Sequence, residues 1–116
     1  MTSKEFVETV KRQVINSAIA DVMSNLQNPR GRRVSSEERA CSDWYNNLPD
    51  SDVAHVSSII SSVAHASVFG LFAAFDGVRK ILEEQGKFEL FFDGKKRTLL
   101  NDPRLIGLHE LLNALP

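Results

Sequence analysis

Cysteine is nearly missing from this sequence, and so is any excess of charge. The lone Cys41 can form neither an internal disulfide nor a cysteine metal cluster, which fits a reducing compartment. Lys and Arg number 14 against 15 Asp and Glu, a net charge of -1 that implies neither a general attraction to nucleic acid nor an acidic shell. The opening MTSKEFVETVKRQ has no apolar stretch behind positive charge, so no secretory leader is read and we expect a cytoplasmic protein. Serine-nucleophile, phosphate-loop and dinucleotide-binding glycine motifs are missing too. No repeat, low-complexity tract or linker divides the chain, and residues 1–116 are read as a single globular domain.

The longest absence runs from Val53 to Phe75, which holds no Asp, Glu, Lys or Arg. Such a stretch is long enough to cross a bilayer, which takes roughly 20 apolar residues. It also carries His55, His65 and several serines. Val53, Val56, Ile60, Val63 and Ser67 recur along one helical face, with His55, Ser58, Ser62 and His65 mostly on another. Lipid asks for an apolar circumference, so this two-sided pattern predicts the central helix of a soluble bundle, with no membrane. Val68 to Phe75 would be its fully buried end.

Around that helix the pattern is regular. Thr2 and Glu5 form a capping box, and Phe6, Val7, Val10, Val14, Ala18, Val22 and Leu26 predict a helix ending at Asn28-Pro29. The loop PRGRRVSS follows, then a second capping box from Ser35 to Glu38 and a short helix ending at Leu48-Pro49. Asp50 or Ser51 is expected to cap the central helix at about 51–75. Gly70 and Gly77 interrupt its pattern, yet Val78, Ile81 and Leu82 carry the helical period to Gly86. Asp102-Pro103 is expected to start a last helix with Leu105, Leu108, Leu112 and Leu115 as its stripe.

Between Lys87 and Leu100 the period changes to two, around an Asp93-Gly94 turn. A two-residue turn would pair Phe92 with Lys95, Leu90 with Arg97 and Phe88 with Leu99. Phe88, Leu90 and Leu99 would then pack on Phe72, Phe75 and Leu108, because a hairpin is marginal alone. The expected fold is α+β: four to five helices around the central one, with one antiparallel β-hairpin at about 87–100.

Candidate chemistry is sparse. Asp52 and His55 share a helical face but lack a third ligand, so no metal site is read and no cofactor is expected. His55, His65 and Cys41 are the groups a small enzyme would use, although Glu37 and Glu38 beside Cys41 disfavour a thiolate. Arg30 to Arg33 and the tip Lys95, Lys96 and Arg97 are the basic spots. They would be a nucleic-acid binder's contacts, yet neither has the interleaved aromatics of a stacking platform. A protein partner fits better. Arg30, Arg32, Arg33, Trp44 and Tyr45 are residue types enriched in interface hot spots, with Lys95, Lys96 and Arg97 as a second candidate surface.

The segments FGLFAAFDGVRKIL, FELFFDGKKRTLLNDP and LHELLNAL resemble a family of small uncharacterised bacterial proteins. In kind, the chain is similar to the immunity proteins of contact-dependent and other polymorphic toxin systems. That resemblance implies a non-enzymatic partner of another protein, a cognate toxin domain in its most specific form.

Overall fold

A helical rod opens the chain. In the computed structural model, which describes residues 1–116, α1 (Ser3–Val10), a π-helical stretch (Lys11–Asn16) and α2 (Ser17–Gln27) follow without a break. Thr2 Oγ1 caps the rod by accepting the Glu5 amide at 3.1 Å. Its far end stops at Asn28, ahead of Pro29.

The π stretch changes which residues face inward. An α-helix turns about 100° per residue, which would set Val14 on the same side as Val7. Bonding from i to i+5 winds more residues into each turn and rotates the downstream chain backward. Ile15 therefore takes the core position, 1% exposed, while Val14 is turned out at 51%. The stripe expected through Val14 is displaced by one residue.

The reciprocal capping box of Ser35 and Glu38 opens α3 (Ser36–Asn46). The central helix, α4 (Asp50–Phe75), begins directly after Pro49 with no side-chain cap. Asp50 and Ser51 therefore lie inside its first turn rather than capping it, and Asp50 and Asp52 sit where a helix N-terminus favours negative charge. The helix passes through Gly70 without interruption and stops at Asp76-Gly77, where Gly77 adopts φ +81, a conformation open to glycine at little cost.

Beyond Gly77 the expected helical continuation does not form. Residues 78–86 are irregular backbone with bends at 78–79 and 83–84, and Val78, Ile81 and Leu82 are exposed. The left-handed glycine turns the chain away from the helix axis, and a helical period without a surface to pack on does not suffice. The last helix also starts later than expected. Asp102 spends its carboxylate on Arg104, accepting the Arg104 amide at 3.0 Å and the guanidinium at 2.8 and 3.1 Å. That closes a local turn instead of a helix, and α5 (Leu108–Asn113) begins after Gly107 with Leu105 left exposed.

The hairpin exists with another register. Strands β1 (Phe91–Asp93) and β2 (Arg97–Leu99) pair antiparallel with Phe91 opposite Leu99, Phe92 opposite Thr98 and Asp93 opposite Arg97. The loop is Gly94 to Lys96, and Gly94 lacks the positive φ a two-residue turn demands. The expected pairing would have set Leu90 against Arg97 and brought a guanidinium to the core face. In the observed one Leu100 donates its amide to the Leu90 carbonyl at 2.8 Å and both face inward, while Arg97 lies over the Phe91 ring, 4.1 Å from its centroid. Of the expected packing, Phe88 meets Phe75 edge-on at 5.7 Å and Leu90 packs on the core; Leu99 faces away with Phe91.

The result is an α+β fold, mainly helical, with a two-stranded antiparallel sheet. Its core is Val7, Ile15, Phe72, Leu108 and Leu112, where α1, the π stretch, α5 and the C-terminal end of α4 converge. Asn101 closes this end. Its amide donates to the Phe75 and Phe88 carbonyls and its oxygen accepts the Leu90 amide, each at 2.8 Å. The N-terminal half of α4 is different: Val53, Val56 and Ile60 are half-buried, while Ile59 and Val63 stand in solvent at 63% and 60%. Val63, expected beside them, is left exposed at the edge of that face. α4 is long and apolar enough to cross a membrane, with 22% of its most apolar stretch buried.

Candidate functional site

The arginine loop and the hairpin tip are not brought together. Arg30, Arg32 and Arg33 are exposed on the α2–α3 loop, which is held against α3 by the Asn46 amide donating to the Gln27 carbonyl at 3.0 Å. Asn46 lies just ahead of the start of α4, whereas the hairpin packs on its end through Phe75 and Phe88. The intervening helix is about 39 Å long at 1.5 Å per residue. Lys95, Lys96 and Arg97 are exposed at that far end, with Arg97 engaged on Phe91. The two basic spots are separate surfaces.

The aromatic pair on α3 divides. Trp44 is 55% exposed and so is not an anchor in the core, whereas Tyr45 is 4% exposed and packs inside. Adjacent positions on a helix point about 100° apart, which lets one face water and the other the core. Tyr45 therefore belongs to the packing and leaves Trp44 as the exposed aromatic group of α3.

The groups named for an enzyme are likewise dispersed. Cys41 is exposed in a cleft shared with Asp21, Glu37 and Glu38, and no histidine lines it. His55 is exposed on the first half of α4. His65 is half-buried, its Nε2 lying 2.9 Å from Asn113 Oδ1 and its ring stacked on Phe69 at 6.4 Å. No set of three His, Cys, Asp or Glu side chains is grouped as a metal ion would require.

One pair emerges that sequence reasoning missed. Asp76, at the end of α4, accepts the His109 backbone amide at 3.0 Å and faces His109 Nδ1 at 2.5 Å through the same Oδ2. A carboxylate only accepts, so the ring proton sits on Nδ1. Phe69 presents an edge-to-face contact to the ring at 5.6 Å, and Glu110 Oε1 lies 3.8 Å from Nε2. An aspartate on Nδ1 is how many enzymes orient a histidine base, but no hydroxyl or thiol bonds to this imidazole. The amide bond shows a second role, since Asp76 satisfies a free N–H in the first turn of α5. No spacing rule links these residues; the sole clue in the chain is a third histidine at the head of the last amphipathic segment.

Fold and side chains together define a small, mainly helical α+β protein arranged along one long helix. No known protein family, curated protein or solved structure matches the chain.

Proposed function

We propose that this chain is a non-enzymatic protein-interaction module, with neutralisation of a bacterial toxin domain as its most specific form. One observation carries the reading. The folded chain exposes 8557 Å², whereas a compact monomer of its 13.0 kDa exposes about 6,300 Å², so about 2,200 Å² is surplus. Its radius of gyration is 17.9 Å where about 13 Å is usual for this length. Surface of that extent suits a protein whose apolar residues are completed by a partner, and a standard interface covers about 800 Å² on each side.

The contact we assign to a toxin domain is Arg30, Arg32, Arg33 and Trp44. Arginine and tryptophan desolvate large areas while keeping a polar handle. The test is to read the genes on either side and to co-express this chain with any toxin-like coding region found there. Protection of the host is the expected result, and Arg32→Ala and Arg33→Ala should each weaken binding of the purified toxin domain by at least about 1 kcal/mol at unchanged Tm. A gene set among metabolic enzymes, with no toxin-like neighbour, would sink the immunity reading.

A further inference from the structure

The solvent side of α4 carries Asp52, Ile59, Val63, Ala66 and Gly70 on one line, because steps of three, four and seven residues return to the same side of a helix. Asp52, Ile59, Val63 and Ala66 are all exposed. At the Gly70 end the surface is covered by the Arg79 guanidinium, whose Nη1 lies 2.6 Å from where a Cβ on Gly70 would stand. Neither Asp52 nor Arg79 takes part in an ion pair within the chain. The line therefore runs from a free carboxylate, over bare apolar side chains, to a free guanidinium seated on a glycine.

Such a face complements itself when turned end over end. We propose that two copies of this chain pair antiparallel through this side of α4, with a two-fold axis at the level of Ser61. Ile59 of each copy then meets Val63 of the other, since both are equally far from Ser61. Asp52 of each meets the Gly70 level of the other, about 27 Å along the helix, where Arg79 waits. The contact is isologous, as a closed two-fold dimer requires. Antiparallel helix dipoles add a favourable interaction at both ends. The surplus surface exceeds what one such contact covers, so the pairing does not exhaust it. Its residues differ from Arg30 to Trp44, so it stands or falls separately from the toxin-binding reading.

Sedimentation equilibrium of the full chain over roughly 1 µM to 1 mM tests the pairing, a range that covers modest interfaces. The expected result is a monomer–dimer equilibrium that Ile59→Glu or Val63→Glu weakens at least about tenfold. Both positions are solvent-exposed, so the monomers keep their fold. Asp52→Arg alone and Arg79→Asp alone weaken the dimer, and the two combined restore it. Gly70→Ala lifts the guanidinium off its seat and weakens pairing while leaving Tm unchanged or raised, because alanine favours a helix over glycine. A monomer throughout the range overturns the proposal. So does a dimer indifferent to the two glutamate variants, a charge exchange that fails to restore pairing, or a monomer that instead adsorbs to phosphatidylcholine vesicles through this face.

Discussion

Asp76 and His109, 33 positions apart in sequence, are joined twice through one carboxylate oxygen, which takes both the backbone amide and Nδ1 of the histidine. The bond couples the last turn of α4 to the first turn of α5, and both side chains are largely shielded from water. Hydrogen bonds to a charged acceptor are worth about 1.5–3 kcal/mol. Asp76→Ala should therefore lower the unfolding free energy by about 2 kcal/mol in urea titration, because the His109 groups lose their acceptor. Asp76→Asn, which keeps an oxygen but loses the charge, should cost less.

Asn101 makes a second closure, using two donors and one acceptor on three backbone groups. Asn101→Ala leaves the Phe75 and Phe88 carbonyls and the Leu90 amide without it, at a cost of about 2–3 kcal/mol. Faster hydrogen exchange at the Leu90 amide should accompany the loss. An unchanged exchange rate would mean that another group holds this amide.

The π stretch makes an asymmetric prediction for neighbouring residues. Ile15→Ala empties a core position and should cost about 2–5 kcal/mol. Val14→Ala, on the solvent side, should stay within about 0.5 kcal/mol. The reverse ordering in thermal or urea melts would restore a regular α-helix through this segment.

Asp102 should resist acid. The hydrogen bonds from the Arg104 side chain, then from its backbone, hold the carboxyl down to about 2 from an ordinary 3.8. A lowered pKa in the folded state stabilises it above the ordinary carboxyl value, and that contribution is lost as pH falls from about 3.8 towards about 2. Carboxyl-carbon NMR titration of Asp102 should show the low midpoint, and Arg104→Ala should raise it only part of the way, because the backbone amide at position 104 remains as a donor.

Trp44 and Tyr45 should separate binding from stability. Tyr45→Ala removes a buried ring and should cost about 3 kcal/mol, close to other large aromatic truncations. Trp44→Ala should leave the melting curve almost unmoved while weakening a protein partner's hold. A large stability loss at Trp44 would place it in the core.

Much of the fold was legible where the deciding residues are neighbours. Thr2 and the Ser35–Glu38 box cap their helices because a side chain and the amide it accepts lie three positions apart. Pro29 stops the first rod, Gly77 stops α4, and the alternation either side of Asp93-Gly94 announces a hairpin. The site was less legible. Exposed arginines are expected of a loop, but the exposure of Trp44 and burial of Tyr45 depend on how α3 rolls against α2, which its own composition does not specify.

By itself the sequence determined the kinds of element, their caps and most of their ends, since these follow from backbone sterics and hydrogen bonds within a turn or two. Tertiary structure decided the rest. It chose Ile15 over Val14, the three-residue loop that turns Leu100 inward, the unwound stretch from 78 to 86, and the meeting of Asp76 with His109. Each depends on what lies across the core, so a locally acceptable alternative lost to the arrangement that buried more apolar surface and left fewer polar groups unpaired.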